Sequence, residues 1–289
     1  MKSIRKPFRT PSFVALAVAT ALAGCAATQG AGQSAMNMVK SATGQAQVVR
    51  QEVAPALYEV AYSPSEDVVY AVSSGNPKDP AAGVKPKLFK LDPETLAVKA
   101  EIDLPKPGYG LTLDDEAHRL YIVDTRGGTL MVFDTTASQV TSSLTMPPVL
   151  DAQGKPEKIE YREIVVDKAN NRLYLPAMSY HDSKLQVVNL ETLTVERTIP
   201  GFNFGATGIS MDSGAGKLYV SNLMGQLFVV DIGTLAITDR FEVQGDQLLN
   251  LVVDHDNKRL LAVDQGFDRL DVVRKERGGL NYQTRTQGN

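Results

Sequence analysis

The chain has 289 residues, 43% hydrophobic and 22% charged, a balance that excludes wholesale disorder and supplies enough apolar material for a sizeable core. With 30 Lys plus Arg against 33 Asp plus Glu, its formal net charge is −3. That excludes the global basic field of a protein drawn to nucleic acid or anionic lipid by charge alone.

Residues 1–24 read as a secretory signal peptide: Lys2, Arg5, Lys6 and Arg9 precede the apolar run Phe13 to Ala23, and LAGC follows at Leu22 to Cys25. This run of eleven residues is about half of the ~20 needed to cross a bilayer as a helix, so a permanent transmembrane anchor is disfavoured. LAGC resembles the bacterial lipobox, which implies cleavage before Cys25 and attachment of lipid to it. Cys25 is the single cysteine of the chain, so no intramolecular disulfide can form. Ala26 and Ala27 follow it without the retaining Asp of inner-membrane lipoproteins. The resemblance therefore implies a periplasmic protein anchored in outer-membrane lipid through Cys25. Removing the leader takes four positive charges with it and leaves 26 Lys plus Arg against 33 acidic residues, a mature net of about −7.

Residues 25–47 are rich in Ala, Gly, Ser, Gln and Thr and read as a flexible tether. The folded domain is expected over residues 48–286. A first strand ending in a polar turn recurs as YEVAYS, GLTLDD, REIVVDK, GISMDS and NLVVDHD. A second with an LY-like pair recurs as VVYAVSS, RLYIVDT, RLYLPAM, KLYVSNL and RLLAVDQ. A third recurs as KLFKLD, LMVFD, LQVVN, LFVVD and LDVVR, and a fourth follows in most copies as LAVKAEI, SQVTSSL, LTVERTI and LAITDRF. The equivalent anchors Tyr70, Tyr121, Tyr174, Tyr219 and Leu261 are separated by 51, 53, 45 and 42 residues.

The turns EDVV, DEAH, KANN, SGAG and HDNK place Asp, Asn or Gly where a hairpin reverses, and β-branched and aromatic residues fill the strands. No long segment keeps a 3.6-residue apolar period. Four short strands recurring at this period predict an all-β chain, a β-propeller of four-stranded antiparallel blades with five repeats. A β-sandwich does not predict recurrence of one four-strand word. The extra length of the longer repeats lies in SGNPKDPAAGVKPK and MPPVLDAQGKPEK.

KLYVSN followed by FVVD, and RLYIVD followed by MVFD, resemble the YVTN family of propeller repeats. LYEVAYS, FKLDPETLAV and TGISMDSGAGKLYVSN are similar to its periplasmic YncE-like members, from about Leu57 to Val273. Such members usually carry seven repeats and are free in the periplasm. The five here either close a smaller ring or stand as an incomplete member, and either Val48 to Val53 or Leu280 to Thr286 is expected to supply an outer strand for closure.

No strong catalytic motif is present. His118, His181 and His255 fall in predicted hairpin turns without metal-ligand spacing, and neither metal nor cofactor is expected. Ser179, His181, Asp182 and Ser183 hold triad residue types without a GxSxG elbow. Asp254, Asp256 and Asn257 sit where other copies have ordinary turns. Loops before the innermost strands gather at one end of a propeller's channel. PKPGYG, EKIEYRE, PGFNFGATG and QGDQLLN bring Lys106, Tyr109, Lys158, Tyr161, Arg162, Phe202, Phe204, Gln247 and Asn250 there. Of these, Lys106, Tyr109, Tyr161, Arg162, Phe202, Phe204 and Asn250 are the candidate binding residues, unless the aromatics plug the space between blades.

Stacking rings beside cations suit single-stranded nucleic acid, and the YncE-like resemblance implies single-stranded DNA as a partner. The reading is a non-enzymatic binding or scaffold module for an envelope partner. The alternative is a lactonase-like hydrolase of the YVTN-related propellers, with Arg162 and Glu163 as the pair to nominate.

Overall fold

The computed structural model describes residues 50–76, 83–151, 153–243 and 247–264, and the backbone of 269–276 and 279–285. The leader, Cys25 and the tether lie outside the described residues. Every regular element among them is a β-strand, and the strands form five sheets.

Blade one is β1 (Leu57–Ser63), β2 (Val68–Ser73), β3 (Lys87–Leu91) and β4 (Val98–Asp103). Blade two is β5 (Leu111–Asp114), β6 (Arg119–Val123), β7 (Thr129–Asp134) and β8 (Gln139–Thr145). Blade three starts with the two-residue β9 (Glu160–Tyr161), then runs through β10 (Val165–Asp167), β11 (Arg172–Met178), β12 (Lys184–Asn189) and β13 (Thr194–Ile199). Blade four is β14 (Ala206–Asp212), β15 (Lys217–Asn222), β16 (Gln226–Asp231) and β17 (Ala236–Glu242). Blade five is β18 (Leu248–Asp254), β19 (Arg259–Asp264), β20 (Arg269–Glu276) and β21 (Gly279–Arg285). Each sheet is an antiparallel meander in chain order, with β9 pairing beside β10 on β11.

Acidic and amide side chains end the strands for a local reason. At the close of the third strand Asp92, Asp134, Asn189 and Asp231 each accept a backbone N–H two or three residues on, the Thr95 amide to Asp92 being 2.9 Å and the Thr234 amide to Asp231 2.8 Å. These Asx turns reverse the chain, with Leu96, Ser138, Leu193 and Leu235 taking positive φ. Asp114, Asp167, Asp212 and Asp254 do the same after the first strand.

The blades stack through apolar faces. Tyr70, Val72 and Leu88 of blade one meet Leu111, Leu120 and Phe133 of blade two. Tyr121, Val123 and Leu130 then meet Leu173 and Leu175. Tyr174, Leu185 and Val187 meet Ile209, Leu218 and Val220, and Tyr219, Leu227 and Val229 meet Leu248, Leu251 and Leu260. The anchor tyrosines of the repeat are thus inter-blade packing. Tyr70, Tyr121, Tyr174 and Tyr219 are all at most 4% exposed.

Of the two segments expected to supply an outer strand, the C-terminal one does so. Blade five receives its outer strand from β21, which pairs with β20, so the last blade is completed by the sequence that follows it directly. Val53 and Ala54 lie instead against Ala71, Phe89 and Leu91 of blade one. Val48 and Val49 lie outside the described residues. No apolar cluster among the described residues joins blade five to blade one.

Candidate functional site

In a meander that begins on the inner strand, the connection from second to third strand and the crossing to the next blade fall at one end, and the tight hairpins at the other. The first end carries the long connections. There, the first residues of β1, the turn before β5, and the segment between β9 and β10 meet.

The Tyr109 amide donates to the Val123 carbonyl at 3.0 Å, which fixes the PGYG turn. Gly110 is required by crowding: a Cβ there would lie 2.3 Å from the Arg162 carbonyl oxygen. That close approach places Arg162 beside blade one. Its Nη2 donates to Glu160 Oε2 at 2.8 Å, its Nε makes no hydrogen bond, and the guanidinium also interacts with the Tyr58 hydroxyl. The Tyr58 and Tyr109 rings pack edge to face with centroids 5.2 Å apart at 75°. Tyr58 is 43% exposed.

Beside them, two buried carboxyl groups from different blades lie together. Glu59 Oε2 accepts the Leu111 amide at 2.7 Å, and Glu163 Oε1 accepts Asn250 Nδ2 at 3.2 Å. The two acids are hydrogen-bonded to each other. Burial is the largest cause raising both above the ordinary carboxyl range, to about 7 for Glu59 and about 9 for Glu163, and the negative field of Glu59 adds to the rise at Glu163. Blades one, two, three and five are therefore knotted around one acid pair.

Three of the expected residues converge here: Tyr109, Arg162 and Asn250. Tyr161 and Phe202 do not, and their candidacy is corrected. Tyr161 is buried with its hydroxyl donating to Gln186 Oε1 at 2.6 Å. Phe202 is fully buried against Phe228, with centroids 5.2 Å apart. Both fill the spaces between blades. Phe204 packs on the exposed Tyr180 at 5.8 Å in a different part of the same end. Lys106 and Lys158 are exposed, as is Gln247, whose amide donates to Asp264 Oδ1 at 3.3 Å.

Sequence reasoning missed Tyr58 and Glu59 because they lie within β1, one and two residues inside its start. The signal available was Glu59, an acid on the strand face that carries Ala61 and Ser63 towards blade two.

The triad residue types are spent on backbone. Ser183 Oγ accepts the Ser179 and Ala206 amides at 3.0 and 2.9 Å. Asp182 accepts the Gly201 and Asn203 amides at 3.1 and 3.2 Å. Asp254 is held by Asn257 and by Arg259 at 3.0 Å, as a turn residue. No cluster of three metal-ligating side chains occurs among the described residues.

No family model matches the chain. It is 27% identical over 240 residues to the protein named YncE of Salmonella typhi, and 26% over 241 residues to that of Escherichia coli strain K12. Each match covers 81% of this chain and 66% of the relative, so the chain spans just under two thirds of the length of the curated relatives it matches.

In fold it resembles a chain of the crystal structure of the mitotic checkpoint complex, with a TM-score of 0.63 and 12% identity over 84% of this chain and 70% of that one. It also resembles the β-propeller domain of Cps50 (Swd1) from Myceliophteria thermophila, at TM-score 0.56 and 13% identity over 80% and 70%. The chain is thus similar in sequence to the YncE proteins along four fifths of its length, and its five antiparallel sheets have the fold of a β-propeller.

Proposed function

We propose that the chain is a non-enzymatic binding module, lipid-anchored through Cys25 on the periplasmic face of the outer membrane, and that the end carrying Tyr58, Tyr109 and Arg162 is its binding face. The observation that carries the reading is the edge-to-face tyrosine pair beside the Arg162 guanidinium. An aromatic ring open to solvent next to a fixed cation suits a ligand with a planar face and a negative charge. A nucleotide unit of single-stranded DNA has both. The acidic mature charge keeps such binding local and salt-sensitive.

The test is fluorescence anisotropy with a labelled oligonucleotide at low salt. Tyr58→Ala and Arg162→Ala should each weaken binding by roughly fivefold or more, from a stacking contact of about 1–3 kcal/mol, while Phe204→Ala should leave it unchanged. Equal binding by wild type and both variants would remove this face.

The buried acid pair gives a second reading a specific footing, since carboxyls poised near neutrality act as general acids and bases. A lactonase-like hydrolase would use Glu163 as the proton donor and Arg162 as the electrophilic group. Turnover of a sugar lactone that disappears in Glu163→Gln would establish it, and absence of turnover in the wild-type protein would dismiss it.

A further inference from the structure

The longest connection, between β8 and β10, does not hang free. Leu150 and Pro156 form a bridge, the Glu157 amide donates to the Val149 carbonyl at 2.8 Å, and Asp151 Oδ1 accepts the Gln153 and Lys155 amides at 2.8 Å. An ordered insertion of this length is a feature to be explained. Between it and the connection from β11 to β12 lies a cavity of about 450 Å³, lined by Leu150, Asp151, Gln153, Glu157, His181, Asp182 and Lys184.

Its polar groups are unbalanced. Asp151, Glu157 and Asp182 face one ammonium, that of Lys184, which leaves the lining two charges negative. The Glu157 side chain is only 7% exposed, yet its Oε2 makes no hydrogen bond. Lys184 Nζ stands 4.0 Å from that oxygen and donates instead to the Asp182 carbonyl at 3.2 Å. A buried carboxylate oxygen without a donor is costly, and in this cavity a cation with several N–H groups would supply one.

We propose that this pocket receives a guanidinium or primary ammonium group, carried by the basic side chain of a polypeptide or by a free amine. Glu157 Oε2 accepts its hydrogen bond, Asp151 and Asp182 add the field, and Leu150, 49% exposed, meets the aliphatic stem. The site is separate from the tyrosine–arginine cluster and takes the opposite charge, so it stands whether or not oligonucleotide binds.

Binding is measured on the whole protein with a short fluorescein-labelled peptide carrying one arginine, with its citrulline counterpart, and with agmatine as competitor. The arginine peptide is expected to bind, and the citrulline peptide to bind at least about tenfold more weakly. Glu157→Gln, nearly isosteric, should weaken the arginine peptide by about tenfold, whereas Lys184→Met, which removes the internal competitor, should tighten it several-fold. Agmatine competing as well as the peptide would support the pocket and identify a small amine as sufficient. Agmatine competing poorly would support it as a polypeptide contact. No binding by wild type, equal binding of arginine and citrulline peptides, or no gain in Lys184→Met would overturn the proposal.

Discussion

At the scale of single residues, the acid pair is the feature with the largest consequence. Glu59 and Glu163 titrate above the ordinary carboxyl range because burial disfavours their charged forms, with Tyr58, Arg162 and Asn250 the polar groups around them. The folded state therefore holds protons that the unfolded chain gives up at ordinary carboxyl pH. The stabilisation is full below that range and is lost as pH rises through about 7 and about 9. Denaturant midpoints should fall steadily from about pH 5 to about pH 9, and Glu163→Gln should flatten most of that slope. A wild-type midpoint independent of pH over this interval would show that the pair is not buried as described.

This is also the scale at which the sequence was least legible. Tyr109, Arg162 and Asn250 were found because they sit in loops before inner strands. Tyr161 and Phe202 come from the same loops but point between blades, and composition does not distinguish an aromatic at the channel mouth from one that fills an inter-blade gap.

At the scale of elements, the repeat word divides its labour. Its aliphatic and tyrosine positions make the inter-blade contacts, while the Asp or Asn at each strand end makes the turn. Blade three joins the two roles: Asp167 Oδ2 accepts from the Tyr174 hydroxyl at 3.0 Å and from Asn170 Nδ2 at 2.8 Å, and both Asp167 and Tyr174 are buried. Asp167→Ala leaves the phenol without its acceptor and should cost about 1–3 kcal/mol. Adding Tyr174→Phe in that background should recover part of the loss, and a double-mutant cycle by urea unfolding measures the coupling. Strand order, turn positions and the packing role of the LY pair were all readable beforehand, because a period-two pattern repeated five times specifies a four-strand meander with little ambiguity.

At the scale of the whole molecule, four apolar clusters join five blades. On β1, Glu59, Ala61 and Ser63 face blade two, whereas Val60 and Tyr62 face away and are 62% and 52% exposed. On blade five, Val252 and Val263 are 57% and 46% exposed. Val60→Lys should therefore change stability by less than about 0.5 kcal/mol. Leu111→Lys, on the buried inner strand of blade two, should prevent folding or cost more than about 4 kcal/mol. Thermal melts of the two variants compare the faces directly, and a large loss in Val60→Lys would mean that the face is covered. Whether the ring closes was not legible in the sequence, since the same alternation marks a face that meets a neighbour and one that does not.

The segment resting on blade one adds a mechanical property. The Ser74 amide donates to the Ala56 carbonyl at 3.1 Å, Ser73 Oγ to the Pro55 carbonyl at 2.8 Å, and Val53 and Ala54 cover Phe89 and Leu91. A pull on the chain from its N-terminal side reaches this strap before it reaches β1. Its few contacts would be loaded one after another, as in unzipping, so the strap would lift at low force while the inner strand stayed paired with β2. The first blade thus carries its own strain relief, and tension along the polypeptide would bare Ala71, Phe89 and Leu91 without unfolding the sheet beneath them.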